Sequence, residues 1–198
     1  MEKGLDINCE SCDAAFPRHD IISYGSMDQG YRQLCSLCFN AEVAKLHGVK
    51  NFDNVRLSPI GITDCIGESH QFHFTIRLLG SMVTLDAFEL QDGQIGGYQF
   101  QLIGSPEDDS FYLLGRMVGR IRKALSVKYI ADNSDGHGLQ IVDKTVQGHI
   151  ECEYSQDIYM PIVVVDGQEI SWDEFGRMVS TFEGWQFKLE MIDRSDEL

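Results

Sequence analysis

Four cysteines, Cys9 and Cys12 followed by Cys35 and Cys38, are the residues of this chain whose type and spacing most directly imply chemistry. They form the pattern C-x2-C-x22-C-x2-C. A C-x2-C turn aims two sulfurs at one centre, and two such turns supply the four thiolates of a tetrahedral zinc site. Disulfide pairing is the poorer reading in a reducing compartment. A thioredoxin-like redox pair is also poor, because no βαβ pattern surrounds either C-x2-C. The expectation is one structural Zn2+ held by Cys9, Cys12, Cys35 and Cys38. Four thiolates close the shell, whereas a catalytic zinc keeps a position open for water. His19 and His47 are spare imidazoles nearby, read as ordinary residues. Cys65 and Cys152 lack partners in sequence, and both read as structural, with Cys152 expected to be a buried strand residue.

Other groups with chemical potential are sparser. Asp132, Asp135 and His137 lie in the polar loop ADNSDGHG, with His149 farther on. They could line a hydrolase-like cleft, although Asp, Asn and Gly are also the usual residues of a turn. Arg116, Arg120 and Lys123 recur at helical spacing, which more often marks a solvated face than an anion grip. The chain carries no P-loop, G-x-S-x-G, H-E-x-x-H or G-x-G-x-x-G motif.

The elements that must hold the cysteines are legible. DIISY (20–24) and YRQL (31–34) flank the Gly-bounded turn GSMDQG and read as a β-hairpin. CFNAEVAKLHG (38–48) reads as a helix with Phe39, Val43 and Leu46 inward and Gly48 as its C-cap. Knuckle, hairpin and helix together resemble a treble-clef or zinc-ribbon finger over about residues 5–48. That resemblance implies the ligand role for the four cysteines and no more. A helix starting at the second pair is expected to lower the pKa of Cys35 and Cys38.

Beyond residue 50 the periodicity changes. QFHFTIRLL (71–79), MVTLDAFEL (82–90) and YQFQLIG (98–104) alternate as three strands of an antiparallel meander. Residues 105–130 read as a helix capped by Ser105, with Phe111, Leu114, Val118, Ile121 and Leu125 on its core face. GHIECEY and PIVVVDGQEI read as further strands, the second with a turn at Asp166-Gly167. Ser171 and Glu174 have capping-box spacing before a second helix, with Phe175, Met178, Val179 and Phe182 on one face. WQFKLEM (185–191) alternates as a last strand with Trp185, Phe187, Leu189 and Met191 inward. The expected fold is α+β: a zinc-finger module over 1–50, then over 51–198 a mostly antiparallel sheet with two helices packed on one face. The larger part resembles uncharacterised bacterial proteins, a resemblance that implies no activity.

Composition narrows the function classes. Net charge is −15, made up of −2 over residues 1–50, −4 over 51–150 and −9 over 151–198. Nucleic-acid affinity comes from Lys and Arg neutralising phosphates, so the acidic balance disfavours that partner. In the finger only Arg18, Arg32, Lys45 and Lys50 could contribute. No run approaches 18 apolar residues, and the first residues lack the apolar stretch of a signal peptide. The terminal SDEL resembles an ER-retention address, which would need such a signal. The expectation is a cytoplasmic, zinc-binding, non-catalytic interaction or regulatory protein with a protein partner; the acidic charge reads first as a source of solubility, and a partner with a basic surface is the sharper alternative. The alternatives are an enzyme using Asp132, Asp135 and His137, or nucleic-acid binding through the finger.

Overall fold

The computed structural model describes residues 6–133, 136, 138–155 and 158–196. It is α+β and mostly antiparallel, as the alternating strands and two amphipathic helices require. Two short strands, β1 (Ile7–Asn8) and β2 (Ala15–Phe16), bracket the first cysteine pair. The hairpin of β3 (Ile21–Ser26) and β4 (Gly30–Cys35) follows and leads into α1 (Ser36–His47). Gly48 ends α1 in the left-handed region, with φ at 67°, donating its N–H to the Ala44 carbonyl.

The next four strands form one antiparallel sheet in sequence order: β5 (Ile60–Thr63), β6 (Ser69–Leu79), β7 (Met82–Gln91) and β8 (Gln94–Gly104). Phe72, Phe74, Ile76 and Leu78 are buried, as the period-two pattern in β6 predicts. β5 pairs with β6 only over Ser69–Phe72, which leaves the far half of that edge of β6 without a strand. α1 covers the gap. Asn40 on α1 is buried, and its side-chain amide takes the place of a missing neighbour. It donates to the Ile76 carbonyl at 2.9 Å and accepts from the Leu78 N–H at 2.8 Å. The same nitrogen reaches Asn54, which donates to the Leu37 carbonyl in turn. The finger is thus hydrogen-bonded to the sheet, and their apolar cores are continuous: Leu34, Phe39 and Val43 pack in one cluster with Phe72, Leu78 and Leu85.

α2 (Ser110–Ala124) lies against β7 and β8. It starts later than the pattern suggested. Asp109, not Ser105, is its N-cap and accepts from the Tyr112 N–H at 2.9 Å. Its buried stripe is Ser110, Leu113, Met117 and Ile121, continued by Leu125. Phe111, expected inward, is 68% exposed. Ser110 donates to the Asp53 carbonyl, and Leu113 packs so closely on Gly104 that a Cβ there would lie 2.9 Å from it. These two contacts fix the rotation of the helix. Leu46, also expected inward, is exposed at the end of α1.

The rest of the described chain forms a second, smaller assembly. β9 (Ile130–Asp132) pairs with β10 (Leu139–Ile141). β11 (His149–Ser155), β12 (Ile158–Val165) and β13 (Gln168–Ser171) form a three-stranded antiparallel sheet. Asp166 and Gly167, both at positive φ, make the two-residue turn between β12 and β13. Ser171 caps α3 (Trp172–Ser180) by accepting from the Glu174 N–H at 3.2 Å. Ile130, Val163, Val165, Ile170 and Met178 form a core distinct from the first. Of the expected inner face of α3, Met178 is buried and Val179 is exposed.

Two expectations in this region are corrected. Residues 185–191 form no strand, and Trp185, Phe187, Leu189 and Met191 are all exposed. The alternation is present in the sequence, but no sheet edge pairs with it. The chain returns instead through backbone carbonyls: Arg120 on α2 donates to those of Arg194, Ser195 and Asp196. Cys152 is exposed, opposite Pro161, rather than buried.

Candidate metal centre

The first cysteine pair sits in a tight turn. Asp13 N–H donates to the Cys9 carbonyl, Cys9 N–H donates to the Ala14 carbonyl, and Asp13 takes a positive φ of 59° to close the loop. β4 delivers Cys35 as the N-cap residue of α1, and the first turn of α1 delivers Cys38. Glu10 ties the two halves together. Its N–H donates to the Gln33 carbonyl, and its carboxylate accepts from the Gln33 N–H at 2.9 Å. The four sulfurs consequently lie within 4.8 Å of one another. Sulfurs bound to one ion at about 2.3 Å in a tetrahedron sit about 3.8 Å apart, so the set has the dimensions of a metal site.

Burial is graded. Cys9 and Cys35 are buried, Cys38 is half-buried and Cys12 is exposed. Burial opposes the Cys9 thiolate, but the N–H groups of Cys35, Ser11 and Cys12 outweigh it and bring its pKa down to about 6. The Cys35 N–H to Cys9 Sγ distance is 3.2 Å. Burial pushes Cys38 up to about 12 and raises Cys35 as well, with neighbouring cysteine sulfurs adding to both. The lowering expected from the helix N-terminus is therefore outweighed. Cys9 is thus readied as a thiolate, whereas Cys35 and Cys38 hold back from charging until a cation shares their charge.

The two spare histidines have other occupations. The His47 ring packs beside Gly80 in the β6–β7 turn. His19 meets His73 and Phe88 edge-on, with ring centroids 5.6 and 5.5 Å away. Asp20 beside it pairs with Arg56 at 2.7 Å, and that guanidinium lies over the Phe16 ring. The N-terminal module is therefore joined to the sheet by an aromatic contact as well as by Asn40, and to the segment leading into β5 by an ion pair.

The suggested carboxylate–histidine cleft is not assembled by the residues that can be followed. Asp132 lies in β9 opposite Leu139, and the Asn133 N–H donates to the Gly138 carbonyl to close a turn. His149 is engaged by Glu151 at 3.0 Å. Asp135 and His137 lie outside the described residues. A different polar cluster, which the sequence reading passed over, gathers Asp64, His70, Glu89, Tyr98 and Lys128. His70 gave a signal: it occupies the inward phase of β6, in register with Phe72 and Phe74. Among the described residues no helix is long and apolar enough to cross a membrane.

Three family models match the chain in series. Residues 8–50 match a domain of unknown function (DUF7685), residues 53–126 a second (DUF7686) and residues 129–196 a third (DUF7713). No curated protein and no solved structure matches the chain.

Proposed function

We propose that this is a zinc-binding, non-catalytic interaction protein. One Zn2+ bound by Cys9, Cys12, Cys35 and Cys38 locks a treble-clef type finger onto an acidic α+β body. The observation that carries this reading is the setting of the four sulfurs. Two of the four cysteines are buried, and the flanking Leu34, Phe39 and Val43 belong to the same core as the sheet. Four thiolates leave no position for substrate, so the ion stabilises the fold rather than activating water. On this reading residues 1–50 are the metal module and residues 51–198 the body. The charge of −9 over residues 151–198 suits a protein partner with a basic surface and repels nucleic acid. Reduced thiols suit the cytoplasm.

The test exchanges the metal. Cd2+ is thiophilic and a weaker activator of water than Zn2+ at neutral pH, so the Cd2+-loaded protein should keep the fold of the Zn2+ form and lose any zinc-dependent hydrolysis. Both forms should bind a lysine-rich peptide in a salt-sensitive way and show no affinity for duplex DNA at physiological salt. An activity present with Zn2+ and absent with Cd2+, or a tight complex with DNA, would refute the proposal.

A further inference from the structure

The seam between the four-stranded sheet and the second assembly holds a group of charges with an unmet requirement. Asp64 sits in the β5–β6 turn with its side chain fully buried. Its Oδ1 accepts from the Ile66 N–H at 3.0 Å and the Glu68 N–H at 2.8 Å, which fixes the carboxylate in place. Its Oδ2 points at His70 Nε2, 3.4 Å away, and at Lys128 Nζ, 3.1 Å away. The other imidazole nitrogen, Nδ1, is 2.8 Å from Glu89 Oε1. One oxygen from Asp64, one from Glu68 and one nitrogen from His70 all lie within 4.8 Å of one another.

Tyr98 is the second, independent observation. The residue is 9% exposed, and its hydroxyl is buried with no hydrogen-bond partner among the described residues. Its ring is clamped between the edge of His70, centroids 5.3 Å apart, and Gly167 of the β12–β13 turn, where a Cβ would lie 2.9 Å from it. Among the described residues nothing accepts a hydrogen bond from this hydroxyl. The backbone is shaped to hold it there. Gly97, at φ 65°, sits where a Cβ would strike the Glu89 carboxylate at 2.5 Å, and the Tyr98 N–H donates to that carboxylate.

We propose that Asp64, Glu68 and His70 bind a divalent cation of the Mn2+ class, whose bound water is the missing partner of the Tyr98 hydroxyl. Three lines of chemistry support this. The 3.4 Å between His70 Nε2 and Asp64 Oδ2 is too long for a good hydrogen bond, and it is close to the roughly 3.1 Å between neighbouring ligands of an octahedral ion with bonds of about 2.2 Å. A histidine that offers Nε2 to a metal gives its other N–H to a carboxylate, the role in which Glu89 stands. Asp64, Glu68 and Glu89 bring three carboxylates together, and the Lys128 ammonium, 3.1 Å from Asp64, is the cation that a bound metal ion would displace. Lys128 stands where a cation belongs, on a stem long enough to swing aside. An open pocket of about 480 Å3 bordered by Asp64, Cys65 and Arg122 lies beside the start of the loop. Carboxylates with one imidazole suit Mn2+, whereas the thiolates of the finger prefer softer ions. The proposal does not depend on zinc at the cysteines.

The test is Mn2+ titration of the full-length, zinc-loaded protein, followed by the electron paramagnetic resonance signal of free Mn2+. One equivalent should bind. Glu68 is exposed, so Glu68→Gln should fold normally and weaken binding by roughly 10-fold or more, the scale of losing a ligand or its supporting partner. Glu89→Gln should weaken it by roughly 10-fold. Lys128→Met removes the competing charge and should strengthen it. The proposal is overturned if neither the wild type nor Lys128→Met binds Mn2+ at millimolar concentration. It is equally overturned if Glu68→Gln and Glu89→Gln bind as the wild type does.

Discussion

Asn40→Ala is the substitution that most sharply examines how the finger is held to the sheet. The side chain makes three hydrogen bonds: to the Ile76 carbonyl, from the Leu78 N–H and to Asn54. Each contributes about 1 kcal/mol net, and truncation also strands the two backbone groups of β6 in a buried place. The expected loss is about 3 kcal/mol or somewhat more. For a chain of this size that lowers Tm by roughly 6–12 °C. Hydrogen exchange should show the Leu78 amide losing protection before its neighbours in β7. Asn40→Asp refines the test. It keeps the acceptor for Leu78 but turns a carboxylate oxygen towards the Ile76 carbonyl, so it should be tolerated better at pH 4 than at pH 7. A Tm for Asn40→Ala within about 1 °C of wild type, or an unchanged Leu78 amide, would show that the docking does not rest on Asn40.

Three further expectations follow from particular contacts. Met117→Ala should cost about 2–5 kcal/mol because Met117 is fully buried, whereas Phe111→Ala should be near neutral; denaturant titration of both checks the rotation of α2. His19 and His73 face each other, and burial, joined for His19 by the charge of His73, lowers the pKa of both below 6.5, against the weaker pull of Asp20 on His19. Protonation therefore favours the unfolded chain, so their contribution is fully present above about pH 6.5 and declines as pH falls below it. Tm measured across that range should drop less steeply in His73→Gln. Ser171→Ala removes the cap of α3 and should cost about 1 kcal/mol, seen as increased proteolysis between residues 172 and 180 with the finger unaffected.

The strands of the main sheet were legible because apolar and polar residues alternate along β6 and the first part of β7, although in β7 both sets, Val83, Leu85 and Ala87 with Thr84 and Asp86, are buried. The four-cysteine cluster was legible because four thiols must approach one point from two short turns. α2 was misread by about one residue in its inward face. Its sequence offers two apolar stripes, through Phe111 and through Leu113, and only contacts with Gly104 and Asp53 choose between them. Residues 185–191 alternate as a strand would, yet pairing depends on a neighbouring edge that local sequence does not describe. The seam cluster was hidden for the same reason. Asp64, His70, Glu89, Tyr98 and Lys128 come from separate elements, and the glycine at 97 that admits Glu89 beside Tyr98 has no meaning until the bulge between Phe88 and Glu89 is seen.

The central claim, that the four cysteines hold one structural zinc, is tested most directly by X-ray absorption at the zinc edge on the purified protein. The account predicts one zinc per chain with four sulfur neighbours at about 2.3 Å and no nitrogen or oxygen in the first shell. A shell containing a light atom would mean an open, water-accessible site, and protein free of zinc with Cys9 or Cys12 joined in a disulfide would contradict the account outright.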